Sequence, residues 1–360
     1  MPDELTRNYR NELAKSAGKK GAIIATISAL VVLLFIVALM VGSSNMNPID
    51  SLRALFGQGD VAEVRIVQQI RLPRALAALI AGAGLSCAGL IMQSTLKNPM
   101  ASPSTLGVSN AAVFGANLSI IGFAGGFLST GGRITNYDFG MNPFATSSVA
   151  FLFALASTFA VLALCRIRSF SSETVVLAGI ALGTVWTALT TLLQFYATDV
   201  GLSAAIIWTF GDLGRATFQT DFIMLGVVAV SVVVFLLLQW RFNAIAADET
   251  VAASLGVKVD VLRFVSLLLS SLITAVCVSY LGIIGFLGII CPHAMRRIVG
   301  NNHRFLIPAT LFSGSFLLLF SDIVSRLIGG GSALPVGAIT ALLGGPFFLY
   351  LIFARKGGKA

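Results

Sequence analysis

The sequence has little charge and almost no histidine. Of 360 residues, 11% are charged and two are histidine, whereas a soluble domain carries about 25% charged residues. With 56% hydrophobic residues and a mean hydropathy of +0.91, the composition is that of a polytopic membrane protein. Cysteine is scarce too. Cys87, Cys165, Cys277 and Cys291 stand in or beside apolar segments without C-x-x-C spacing, so neither a disulfide framework nor a zinc cluster is indicated, and small apolar packing is their expected role. No phosphate-binding G-x-x-x-x-G-K-[ST] loop is present, because AKSAGKKGA (14–22) lacks the glycine spacing and follows no strand. The chain is therefore not expected to be its own ATPase, and no cofactor is implied. No isolated carboxylate falls mid-span, which argues against a gradient-driven secondary transporter. Nor is there an acid/base pair or nucleophile set for an intramembrane enzyme. A net charge of +9 would suit nucleic acid, but the basic residues are scattered between apolar runs instead of forming a patch.

What is present is a series of apolar runs. A hydrocarbon core about 30 Å thick needs about 20 apolar residues per helical crossing. Such runs fall near 21–43, 74–96, 104–122, 145–165, 174–197, 220–240, 261–281, 283–295, 305–328 and 335–353, the third and eighth being marginal. They leave a basic head (1–20), a transmembrane domain (21–356) and a short tail (357–360), with no soluble domain expected. The first run has no A-x-A-like cleavage site and reads as an uncleaved helix.

Lysine and arginine counts orient the bundle. With the N-terminus inside, 17 basic residues lie in inner segments and seven in outer ones, so both termini are expected in the cytoplasm. The outer seven are Arg53, Arg65, Arg71, Arg74, Arg133, Arg215 and Arg326. Arg71 and Arg74 open the second crossing and Arg326 closes the ninth, against the prevailing bias. Two readings stand for them: snorkelling, with stems along lipid and heads in water, or a positive outer surface for an acidic partner. Asp322, four residues before Arg326, is spaced for an intrahelical pair.

Small residues recur in AGAGLSCAG (81–89) and GIIGFLG (282–288), where they let membrane helices approach closely. Glycine and proline interrupt KNPMASPSTLG (97–107) and LGIICPHAMRR (287–297). Broken helices are tolerated at depth only where protein or a water-filled cavity surrounds them, which points to a transport route. The longest inner connection, RFNAIAADETVAASLGVKVDVLR (241–263), holds an Ala-rich stretch that would suit a helix lying on the membrane.

These segments carry a resemblance. RLPRALAALIAGAGLSCAGLIMQSTLKNPMASPSTLGVSNAAVFGA, GIIGFLGIICPHAMRRIVGNNHRFLIPA and SDIVSRLI followed by ALPVGAITALLGGPFFLYLI resemble the FecCD family, permease subunits of ATP-binding-cassette (ABC) importers for ferric siderophores, haem and vitamin B12. The likeness runs from about residue 21 through nearly the whole chain. It implies an all-α polytopic membrane fold of ten transmembrane helices in the bacterial inner membrane. It also implies a second permease, as a homodimer or with a paralogue, two cytoplasmic ABC ATPase subunits and an extracytoplasmic substrate-binding protein. By residue, the R-L-P-R motif matches Arg71 and Arg74 and the S-D-I-V-S-R motif matches Arg326, implying a binding-protein docking surface. The connection 241–260 becomes the coupling loop, with Asp248, Glu249, Ala252, Leu255 and Gly256 as ATPase contacts. Ser171, Ser172 and Glu173 match the inner gate. A ferric-siderophore cargo is expected, with haem and cobalamin as alternatives. The outer loop 122–146 is longer than the family implies, either as a flexible spacer or as an extra contact to the binding protein.

Overall fold

An apolar run inside a bilayer must satisfy its own backbone hydrogen bonds, and helix is the way to do so within one segment. The structure, a computed structural model, follows that rule and describes residues 2–42, 46–123, 143–168, 171–328 and 334–353. Among them, seven helices are long and apolar enough to cross a membrane. The chain order is α1 (Pro2–Met40), α2 (Pro48–Leu55), α3 (Val61–Thr95, with a π turn at Ile66–Arg71) and α4 (Val108–Phe123). There follow α5 (Pro143–Arg168), α6 (Ser172–Phe195), α7 (Asp199–Thr209), α8 (Phe218–Leu237), α9 (Gln239–Ala247) and α10 (Glu249–Ser254). The last are α11 (Val259–Leu281), α12 (Leu287–Val299), α13 (His303–Ile328) and α14 (Val336–Phe353).

Three departures from the expected crossings have local causes. The first crossing is longer than its apolar run, since good helix formers carry α1 unbroken from Pro2, within the basic head, to Met40. The two marginal crossings start four residues late, each after a residue at positive φ: Gly107 (φ 72°) precedes α4, and Phe286 (φ 67°) precedes α12, which is shifted to Leu287–Val299 at unchanged length. An unforeseen helix, α7, fills the space between the fifth and sixth crossings, its start capped by the Thr198 hydroxyl accepting from the Gly201 amide at 3.2 Å. Most of the long outer loop (124–142) and the tail (354–360) lie outside the described residues.

α3 is the axis of the core. Its apolar window is 83% buried, against 17–67% for the other long helices. The small-residue runs explain how. A Cβ added at Gly82 would come 2.5 Å from the Gly314 carbonyl oxygen of α13, and one at Gly89 would collide with the Gly288 backbone of α12. Hydroxyls then hold the close backbones: Ser86 donates to the Thr310 carbonyl at 3.0 Å and Ser315 to that of Leu79 at 2.8 Å. Such small-residue contacts replace the water expulsion that drives packing in soluble proteins. All four cysteines are free and buried, as packing residues should be.

Candidate functional site

Two polar clusters lie at opposite ends of α3, and most of the residues singled out from sequence fall in one or the other. At the first end, α1 leaves the four carbonyls of residues 38–41 without helical partners, as every helix terminus does. Two arginines supply them. Arg71 Nη1 donates to the Leu39 and Met40 carbonyls at 2.9 and 3.0 Å, and Arg326 Nη1 to those of Ala38 and Val41 at 2.9 and 2.6 Å. Arg71 also donates to Ser51 Oγ at 3.1 Å. Gly42 makes room for this arrangement, because a Cβ there would stand 2.6 Å from the Arg71 guanidinium.

Arg74 and Arg326 meet on Asp322. Arg74 Nε lies 2.7 Å from Asp322 Oδ1, and Arg326 Nη2 lies 2.8 Å from Oδ2. The carboxylate is fully buried, while the arginine side chains are 11% and 7% exposed. Arg71 shares the end of α1 with Arg326, so three guanidiniums gather here, two of them on the one carboxylate. Arg74 Nη2 and Arg326 Nε have no hydrogen-bond partner among the described residues. The snorkelling alternative does not describe these heads. The expected intrahelical Asp322–Arg326 pair is present. Nearby, Arg215 caps α7 through the Trp208 and Ile207 carbonyls at 3.0 and 2.8 Å, and burial pulls its guanidinium below the usual arginine range.

The second end is the connection α9–α10. Asp248 starts α10 as its N-cap, accepting from the Thr250 amide at 2.7 Å and from the Thr250 hydroxyl. Those two bonds hold its carboxyl below the usual carboxylate range. Glu249 is only partly free: its Oε1 pairs with Arg263 Nη2 of α11 at 2.5 Å. Leu255 is 62% exposed and Gly256 (φ 81°) has open space around it. Ala252 differs from the expected contact role, since it is buried against the body of the protein. A one-and-a-half-turn helix has one inner face, and the alanine occupies it.

Ser171 caps α6, its hydroxyl oxygen accepting from the Thr174 amide at 3.1 Å, with half-buried Ser172 and exposed Glu173 next in the first turn. A cavity of about 420 Å³ opens between the broken segment 98–110 and α6. Asn110 spans its wall, donating to the Gly183 carbonyl at 3.1 Å and to Thr187 Oγ1 at 3.2 Å. The glycine and proline interruption thus borders a mostly apolar hollow with a few polar groups on its wall, in keeping with the rule that broken helices need protein or a cavity around them.

Sequence reading missed several polar residues. Asp221, in the first turn of α8, is buried with both carboxylate oxygens lacking a partner among the described residues. It escaped notice because only mid-span carboxylates were sought. His303, Asn243, Gln93 and Arg296 form a buried network at the second end. Among the described residues, no group of three metal-ligating side chains occurs.

Comparison with known proteins is consistent over nearly the whole length. A model of the FecCD transport family matches residues 30–354. A Methanocaldococcus jannaschii protein named for an ABC transporter permease is 43% identical over 88% of this chain and 90% of its own. The Bacillus subtilis iron(3+)-hydroxamate import system permease FhuG is 31% identical over 92% and 96%. The Salmonella typhi vitamin B12 import system permease BtuC is 32% identical over 91% and 93%. A solved structure described as an inward-facing conformation of a metal-chelate type ABC transporter superposes with a TM-score of 0.79 at 29% identity, covering 93% of this chain and 99% of that one.

Proposed function

The chain belongs to the FecCD transport family and is an ABC importer permease, and from that premise we propose that it forms the membrane path for a ferric-siderophore chelate. The observation that carries this reading is the whole-chain likeness to a metal-chelate type transporter, joined by the hydroxamate permease. The vitamin B12 permease is as similar as the hydroxamate one, so cobalamin is the second reading. Haem is a third.

In this reading the chain is non-catalytic, and two cytoplasmic ATPase subunits hydrolyse ATP. The permease domain occupies 21–356, between the head and the tail, and both termini face the cytoplasm. The arginine end is then extracytoplasmic and receives an acidic lobe of the binding protein over Arg71, Arg74 and Arg326. What supports docking there is charge: Arg74 and Arg326 share the one carboxylate of Asp322, and Arg71 lies beside Arg326 on the end of α1, so the cluster is net positive. At the other end, Asp248, Glu249, Leu255 and Gly256 face the ATPase, and Ala252 holds their helix in place. α6 is only 22% buried along its apolar window, which suits a face lining a central route with a second permease. Ser171, Ser172 and Glu173 sit where that route meets the cytoplasm and form its inner gate.

The test is uptake into proteoliposomes holding the assembled transporter and internal ATP. Radiolabelled ferric hydroxamate should accumulate and survive ionophores that collapse proton and sodium gradients. Accumulation of cobalamin or haem in its place would overturn the cargo assignment, and loss of uptake with an ionophore at constant ATP would overturn ATP-driven import.

A further inference from the structure

The last turn of α3 is gripped from two directions. Its Ser94 and Thr95 stand beneath both flanks of the α9–α10 segment, and each flank reaches them through one intermediary side chain. On the first flank, Asn243 of α9 accepts the backbone amide of His303 at 2.9 Å and faces His303 Nδ1 at 2.8 Å. The Asn243 amide nitrogen is spent on Asn302 Oδ1 at 3.2 Å, which fixes its oxygen towards the ring. His303 Nδ1 then carries the proton, and Nε2 lies 2.7 Å from Ser94 Oγ, whose one proton also reaches the Leu90 carbonyl at 2.9 Å. On the second flank, Glu249 of α10 holds Arg263 Nη2 at 2.5 Å, while Arg263 Nε donates to the Thr95 carbonyl at 3.4 Å. That carbonyl is one of the orphans at the α3 terminus. α12 joins them: Arg296 donates to Gln93 Oε1 at 2.7 Å and to Ser94 Oγ at 3.3 Å, and Gln93 donates to the Gly288 carbonyl at 2.9 Å.

Nothing soft intervenes along α3. The Gly89–Gly288 and Gly82–Gly314 contacts are backbone against backbone, so a push on the last turn is not taken up by side-chain rearrangement. At the far end the same helix carries Arg74, bound to Asp322. We propose that α3 is the mechanical link of the transporter, with Ser94, His303 and Arg263 as positioning residues that join the α9–α10 segment to it. This inference rests on the reading of α9–α10 as the ATPase coupling loop and goes beyond it: movement there is delivered along α3 to the arginine cluster, and binding-protein docking is felt by the ATPase through the same helix.

The experiment uses the complete transporter in proteoliposomes. Ser94→Ala removes the hydroxyl on which His303 and Arg296 converge. ATPase subunits should still co-purify, with basal hydrolysis within roughly twofold of wild type, while stimulation by the loaded binding protein falls roughly tenfold, inside the usual range of coupling between sites. Ser94→Thr keeps the hydroxyl and should restore stimulation, which a purely structural lesion would not allow. Arg263→Lys keeps a charge for Glu249 but withdraws the planar fork from Thr95, and should reproduce the loss. Unchanged stimulation in the Ser94→Ala/Arg263→Lys double variant overturns the link. So does loss of ATPase co-purification by Ser94→Ala, which would put these residues in the docking surface. If the wild-type chain itself retains no ATPase subunits, the coupling-loop reading fails first, and that control separates the two failures.

Discussion

Asp322→Asn keeps the shape of the side chain and removes its charge. The consequence is severe because of what surrounds it. The carboxylate is fully buried and touches Arg74 at 2.7 Å and Arg326 at 2.8 Å. In a soluble, exposed pair the loss would be about 0–1 kcal/mol. Here the cations cannot escape to water, since Arg326 is tied to the Ala38 and Val41 carbonyls and Arg71 to those of Leu39 and Met40. Swinging either head outwards would uncap α1. Breaking a buried pair while its partners stay in place costs about 3–5 kcal/mol. At about 2 °C per kcal/mol, the low end expected for a long chain, the apparent Tm should fall by roughly 6–10 °C. The assay is thermal unfolding of the purified chain in detergent, followed by tryptophan fluorescence at one fixed heating rate. Adding Arg74→Met to Asp322→Asn should recover part of the loss, because one stranded cation is gone, giving about 1–3 kcal/mol of non-additivity. A Tm within about 1 °C of wild type for Asp322→Asn, or strict additivity in the double variant, would refute the picture of a closed, mutually dependent charge cluster.

Gly42→Ala should uncap α1 by displacing the Arg71 guanidinium, at about 1–3 kcal/mol, visible in the same melt; a wild-type Tm would show that Arg71 relaxes freely. Gly314→Leu should do worse, because Ser86 and the Gly82 carbonyl already fill its space, and normal folding would contradict backbone contact between α3 and α13. Leu255→Asp should leave the Tm unchanged yet abolish ATPase co-purification, whereas Ala252→Leu should lower the Tm first; the reverse pattern would invert the assigned faces of α10. Arg74→Gln should weaken binding-protein affinity mainly through faster dissociation, as expected for one partner of a buried pair; unchanged affinity would remove Arg74 from the docking surface.

Much of this architecture can be read in the chain because membrane burial leaves a blunt signature. Apolar length located the long helices, and the glycine spacing in 81–89 and 282–288 located the contacts that bury α3. The limits are equally physical. Helix starts set by a single residue at positive φ, Gly107 and Phe286, shift a boundary without altering the hydropathy around it. α7 is too short to register as a crossing. His303 carries no local signal of its role, because its partners in space, Asn243 and Ser94, are 60 and 209 residues away.

The arginines show the difference most clearly. Topology marked Arg71, Arg74 and Arg326 as out of place, and the spacing of Asp322 to Arg326 marked their local pair, since both follow from linear patterns. Their burial did not follow, because what buries Arg71 and Arg326 is a set of backbone carbonyls at the end of α1, and every residue type has a carbonyl. A charge pattern tells on which side of a membrane a cation belongs. It carries no information about how many of that cation's donors a distant helix end has already taken. Arg74 Nη2 and Arg326 Nε have no hydrogen-bond partner among the described residues, but both atoms are buried beside Asp322, so a carboxylate-bearing partner would meet the summed charge of the cluster and not these atoms.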